Sequence, residues 1–295
     1  MPNSNSIQIT TNYKKGVELC EKVLEMKKQG AYPFSIPDLF PDAIIPEGIK
    51  RGSLQHAIYL FYSVSLDRGR ESRVVYKKCR EMAELLDFSE LPNLLPEYIR
   101  CFLDKNFAKP KPGKEVFGQP VKTWVENSRT LEEKFQGDPR KLKADTVEET
   151  IKNISRFRGY KEQMSWLLIK NYLRAGIWEF PLEECNIKTD RHVVRISYGT
   201  GVIEVKGAYK IRHDLLVQPL SKLYQEIIRN KKFSPIELND AFWAIGSYCC
   251  KKNNSLYCLG NCSIGCETKP TADKKFTTLI LNQDNRKNSR NLFSK

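Results

Sequence analysis

The sequence predicts an all-α protein. Three observations carry this reading. Apolar residues recur at helical spacing through most of the chain. Capping side chains stand in front of several of those segments. Strand-like runs are few and short. Prolines separate the helices, which predicts a compact multi-helix domain rather than a long bundle.

Residues 1–12 read as a loosely docked polar arm. A helix follows from Tyr13 to Gly30, with Val17, Cys20, Leu24 and Met26 near helical phase and Gly30 as its stop. Ala31 to Gly52 is a proline-rich connector. Ser53 is an N-cap for a helix whose apolar face holds Leu54, Ala57, Ile58, Phe61 and Tyr62. The next helix covers Glu71 to Leu86, and another covers Pro96 to Asn106. Between Ala108 and Pro120 lies a basic Pro/Gly-rich loop, suited to solvent or to phosphate contact alike.

Helices resume from Val121 to Phe135 and from Val147 to Phe157. Thr146 and Glu149 have the spacing of a capping box for the latter. A further helix runs from Glu162 to Arg174. After Arg195 come β-like runs at Ile196–Tyr198 and 201–205. Two more helices are expected, Leu215–Arg229 and Pro235–Ser247. The tail from Glu267 is polar and basic, with one apolar patch at Phe276–Leu281.

The net charge of +14 and isoelectric point near 9.3 favour a polyanionic partner, because Lys and Arg contacts to phosphate release counterions. No uncharged apolar run is long enough to span a membrane, and Met1–Thr11 has no apolar signal core. The expected location is the cytoplasm, in association with the nucleoid.

Two stretches could carry chemistry. In Arg156-Phe157-Arg158-Gly159-Tyr160-Lys161, Gly159 can take a positive φ and reverse the chain just before a helix starts. Amides at such a turn suit a phosphate, and Arg156, Arg158 and Lys161 add positive charge. The same stretch also fits a plain helix corner with glycine as its cap. The second stretch is Asp190-Arg191-His192-Val193-Val194-Arg195. Asp190 is a favoured N-cap type. A carboxylate held there points off the helix end, where it can stabilise positive charge on a sugar carbon or polarise a water.

Nine cysteines are present, unevenly spread. Cys20, Cys79, Cys101 and Cys185 are scattered in apolar surroundings and read as core residues. Cys250, Cys258, Cys262 and Cys266 offer four thiolates in one loop, with Cys249 an alternative to Cys250. Four thiolates suit Zn²⁺ or a [4Fe–4S] cluster. The absence of a Cys-x2-Cys knuckle favours the iron–sulfur cluster.

These features, in this order, resemble the helix-hairpin-helix DNA glycosylase superfamily, in its iron–sulfur branch of endonuclease III and the adenine glycosylases. Asp190 to Arg195 is similar to the family's Asp-x-His-(Ile/Val)-x-Arg run. Ile245 to Cys250 is similar to its lead-in to the cluster, and Ser53 to Asp67 loosely to the helix opening its six-helix lobe. The resemblance implies a two-lobed fold: a helical barrel lobe over 46–204, and a cluster lobe over 205–270 on which the N-terminal segment 1–45 packs, followed by a basic tail at 271–295. It also implies a DNA partner, a base flipped into the cleft between lobes, and catalysis by Asp190.

The hairpin keeps the family's first glycine and lacks the second. The lyase lysine's position falls on Gln163, and a carboxamide cannot form an imine. The expectation is therefore a monofunctional, monomeric glycosylase, with Lys161 the nearby amine. Arg156, Arg158, Gly159, Tyr160, Lys161, His192 and Arg195 are the expected DNA contacts, and Tyr160, Trp166 or Tyr198 could stack on the base; Arg195 fits a structural partner as well, His192 a packed imidazole and Trp166 a core side chain. The divergence points to an unusual base, such as a bulky modified pyrimidine. Alternatives are a non-catalytic nucleic-acid-binding module of the same fold, and a glycosylase acting on RNA.

Overall fold

The computed structural model describes residues 7–67, 70–85, 101, 120–250, 264–267, 271–272 and 278–281. The helix expected at 96–106, the basic loop at 108–120, Cys258, Cys262 and most of the tail lie outside the described residues. No described helix is long and apolar enough to cross a membrane. The chain divides into two units, Phe40–Lys188 and Met1–Leu39 with Thr189–Lys295. Residues 189–204, expected in the barrel lobe, thus group with the C-terminal part of the chain.

The unit Phe40–Lys188 is built around α2 (Leu54–Asp67), in which every residue from His56 to Asp67 is buried. A helix apolar on nearly all sides belongs at the centre of its unit. Ser53 starts it as expected, its Oγ accepting from His56 N at 3.1 Å. Around α2 pack α3 (Ser72–Leu85), α4 (Pro120–Phe135) and α6 (Glu162–Ala175). Tyr62 of α2 stacks on Trp124 of α4 at 3.8 Å, and Tyr172 of α6 donates to Ala57 O at 2.7 Å. Inside the same unit Asp42 takes an ion pair from Lys170 and another from Arg174 at 3.3 Å. Burial alone would raise the Asp42 carboxyl, but these two cations hold it well below the usual range.

The short α5 (Val147–Ile154) starts under Thr146, whose Oγ1 accepts from Glu149 N at 3.2 Å. It ends before Phe157, because Arg156 N and Phe157 N turn back to Asn153 O and Ile154 O. The chain is thereby already turning when it reaches Gly159.

In the other unit α1 (Tyr13–Lys28) packs on α8 (Asp214–Lys231) and α9 (Pro235–Ala244). Part of the polar N-terminal arm is ordered: β1 (Gln8–Thr11) pairs antiparallel with β2 (Ile203–Lys206). Its alternation is too short and polar to stand out in the sequence, and its partner lies far along the chain. A second sheet joins β3 (Lys210–Arg212) to β5 (Thr278–Ile280), with β4 (Thr271–Ala272) at the outer edge. The β-like run expected at Ile196–Tyr198 is instead the end of α7 (Arg191–Gly199). Its β-branched residues suggested strand, but the Asp190 cap and the burial of Val193, Val194 and Ile196 decide for helix.

Candidate nucleic-acid interface and catalytic carboxylate

The hairpin is set by backbone geometry. Gly159 has φ +87°, a region open to glycine but strained for other residues. A Cβ there would lie 3.1 Å from Ser65 O, so the turn sits hard against the end of α2. Asn127 of α4, 1 % exposed, clamps the preceding peptide from both sides. Its Nδ2 donates to Arg158 O at 3.0 Å, and its Oδ1 accepts from Arg158 N at 2.8 Å. Nothing local marks Asn127 in the sequence, because its role depends on a turn 31 positions away.

The aromatic residues of the hairpin anchor it. Phe157 meets Phe61 edge-on at 5.0 Å. Tyr160 stacks on Phe61 at 5.3 Å and donates its hydroxyl to Phe61 O. Tyr160 is therefore a core side chain and not the DNA contact expected of it. Trp166 is buried too, and Tyr198 is half-buried. Arg156 and Lys161 are exposed, while Arg158 pairs with Glu126 at 3.1 Å. Lys161 begins α6 with no side-chain cap. Among the described residues, the amides of Gly159, Lys161 and Glu162 have no hydrogen-bond partner. This is the donor arrangement of an anion site, with Arg156 and Lys161 beside it.

Asp190 begins α7 as the sequence suggested. Its backbone is extended, and Oδ1 accepts from His192 N at 2.8 Å and Val193 N at 3.4 Å. Its residue is half-buried, so the carboxylate is braced by the helix yet not sealed in packing. His192 is half-buried. Arg195 is 4 % exposed, and its Nη2 donates to Gly246 O at 3.0 Å and lies 3.3 Å from His192 Nδ1. Its burial and these contacts make it an internal tie, the structural-partner alternative and not the phosphate contact.

Gly246 lies in a π-turn, Ile245–Cys249, that continues α9. A Cβ at Gly246 would come within 2.3 Å of His192 Cβ. Contact this close between α7 and the π-turn needs glycine. The turn leading to Cys250 is thus fastened to the helix that Asp190 starts.

The cysteines divide as their burial dictates. Cys20, Cys79 and Cys185 are core residues, as expected, whereas Cys101 is exposed. Burial pushes the Cys79 thiol up to about 12. Cys249 is 1 % exposed, Cys250 is partly exposed and Cys266 is exposed. Cys266 stands between the buried Ile264 and Glu267, whose carboxylate takes Lys15 Nζ at 2.6 Å. Among the described residues no three metal-capable side chains gather, and Cys258 and Cys262 lie outside them.

Comparison with solved structures identifies the fold as that of the helix-hairpin-helix DNA glycosylases. One similar structure is a trapped endonuclease III–DNA covalent intermediate, an estranged-adenine complex: TM-score 0.53, 14 % identity, covering 83 % of this chain and 90 % of that one. Another is the 8-oxoguanine DNA glycosylase of Pyrobaculum aerophilum complexed with 8-oxoguanosine: TM-score 0.52, 15 % identity, covering 83 % of this chain and 91 % of that one. No protein-family model and no curated protein sequence matches the chain.

Proposed function

We propose that this protein is a monofunctional DNA glycosylase, acting as a monomer on a damaged or modified base. The observation that carries the reading is Asp190: a half-buried carboxylate fixed by its own helix N-terminus on a fold shared with DNA glycosylases. The hairpin amides and Arg156 and Lys161 take a backbone phosphate. The target nucleotide is extruded from the duplex. Asp190 stabilises the cationic sugar as the base leaves, and water completes the hydrolysis. Gln163 cannot form a Schiff base, so the product is an abasic site in an intact strand.

Cys250, Cys258, Cys262 and Cys266 would hold a [4Fe–4S] cluster, with the buried Cys249 left in the core. Such a cluster, when bound, supplies a rigid staple rather than an open coordination site. The chain's own residues pass that rigidity on, through the π-turn, Gly246 and Arg195, to the helix that Asp190 starts.

The test is base release from duplexes carrying single modified bases, followed by alkaline cleavage of abasic sites. Wild-type protein is expected to release at least one base. Asp190→Asn should bind the same duplex equally well and lose release. Borohydride should trap no covalent adduct; a Lys161-dependent adduct would refute the monofunctional assignment. Should the wild type release nothing, even from heavily modified genomic DNA, the fold serves as a binding module.

A further inference from the structure

The turn Gly207-Ala208-Tyr209 joins β2 to β3, and so links the two small sheets of one unit. Tyr209 is 68 % exposed. Its backbone is nonetheless fixed. Leu281 N donates to Tyr209 O at 2.9 Å, and the next residue, Lys210, pairs with Ile280 across the β3–β5 ladder. On the other side of the turn Lys206 ends β2 opposite Gln8. Val205 and Ile211 point into the core, so strand alternation turns their neighbours Lys206 and Lys210 out to solvent. Among the described residues no carboxylate pairs with either lysine. Lys210 Nζ lies over the Tyr209 ring, 5.2 Å from its centroid. Arg212 differs, because its Nε donates to Asp214 at 3.0 Å.

A single exposed tyrosine is ordinary. Here the ring stands on anchored backbone, between two lysines without acidic partners, in a chain of net charge +14. That combination fits a ligand with both an aromatic plane and negative charge, and a nucleotide has both. An acidic peptide would satisfy the lysines and leave the ring unmatched. Inside a duplex each base already stacks on its neighbours, so only an unpaired nucleotide has a plane to offer.

We propose that the Tyr209 turn is a second DNA contact, one that takes unpaired nucleotides. A base stacks on the ring face away from Lys210, and Lys206 and Lys210 meet the adjoining phosphates. Stacking tolerates any base, so the contact selects strand state and not sequence. The choice of DNA as the polymer rests on the proposed function; the stacking contact itself requires neither Asp190 nor the Gly159 hairpin.

The experiment measures equilibrium binding of full-length protein to a blunt DNA duplex and to the same duplex with a single-stranded thymidine overhang. A third probe carries an overhang of tetrahydrofuran residues, with the same phosphates and no bases. A fourth carries ribothymidine, which differs from the DNA overhang only in its 2′-hydroxyls. Wild-type protein is expected to prefer the thymidine overhang to the baseless one by about 10-fold, within the range of one base–aromatic stack. Tyr209→Ala should erase this preference and Tyr209→Phe should keep it. Lys206→Ala should weaken binding to both overhangs and reduce the salt slope by about 0.7, the loss of one single-strand phosphate contact. Melting temperature shows that each variant is folded, and the baseless probe tests the stack in the unaltered protein. Equal binding of the thymidine and baseless overhangs by the wild type overturns the inference. So does a preference that survives in folded Tyr209→Ala, or tighter binding of the ribothymidine overhang. A wild type that prefers the thymidine overhang but releases no base keeps this inference and removes the glycosylase reading. Release without overhang preference does the reverse.

Discussion

The first turns of α6 and α7 differ in what meets their amides. At α6 no side chain closes the turn, and the amides of Gly159, Lys161 and Glu162 have no partner among the described residues. At α7 the chain brings its own anion, and Asp190 takes the amides of His192 and Val193. Both starts carry the partial positive charge of a helix N-terminus. An uncapped start can take an anion from outside, which suits a phosphate. A capped start fixes a carboxylate in one direction, which suits chemistry at a carbon that becomes cationic. On the proposed reading, the hairpin grips and Asp190 reacts.

The sharpest way to break this contrast is to change the cap. Asp190→Asn should keep α7 intact, since Asn caps about as well as Asp. Asp190→Ala should lose about 1 kcal/mol of stability. Both should lower base release by about 10³-fold, read in single-turnover assays. Equal release by Asp190→Asn and wild type would mean that the cap is only structural.

The next effect falls on the hairpin. Asn127→Leu leaves the N–H and C=O of Arg158 without their clamp, and unfolding in urea should reveal a loss of about 2–4 kcal/mol. DNA affinity should fall, while the rate of release from bound substrate changes little. A change in rate without a change in affinity would reverse the roles of the two starts.

Gly246→Ala should cost about 1–3 kcal/mol by overpacking against His192. It should reduce release more than binding, because the contact braces α7 and not the hairpin. Thermal melting reads the first consequence, and single-turnover release beside equilibrium binding reads the second.

The smallest expected effect is a pH dependence at the base of α2. His56 Nδ1 accepts from Gly52 N at 3.1 Å, so the folded state holds a neutral ring. Burial, helped by the Arg51 charge, lowers this imidazole from about 6.5 to about 4. Below pH ~6.5 the unfolded chain binds the proton first, so this contribution is full above that value and fades as pH falls towards 4. His56→Gln should flatten that part of the melting-temperature profile and leave base release unchanged at neutral pH.

Much of this was legible in the residues themselves. Gly159 before a helix, Asp190 before Val193 and Val194, and Thr146 three positions before Glu149 are local signals, and each performs its expected backbone task. Tyr160 and Arg195 are hard to place from sequence for a common reason. A tyrosine in a turn and an arginine on a short helix look available for DNA until packing shows Phe61 and Gly246 claiming them. Asn127 left no trace in the sequence, since an Asn in mid-helix is ordinary.

The sequence by itself determined the helical class, the glycine turn, the capping carboxylate and the basic charge, because caps, turns and periodicity act over a few residues. Only the tertiary structure decided which polar groups are consumed by packing and which are left over. That division depends on burial and on partners distant in the chain, as Asn127 to Arg158 and Gly246 to His192 illustrate, and no local pattern encodes it.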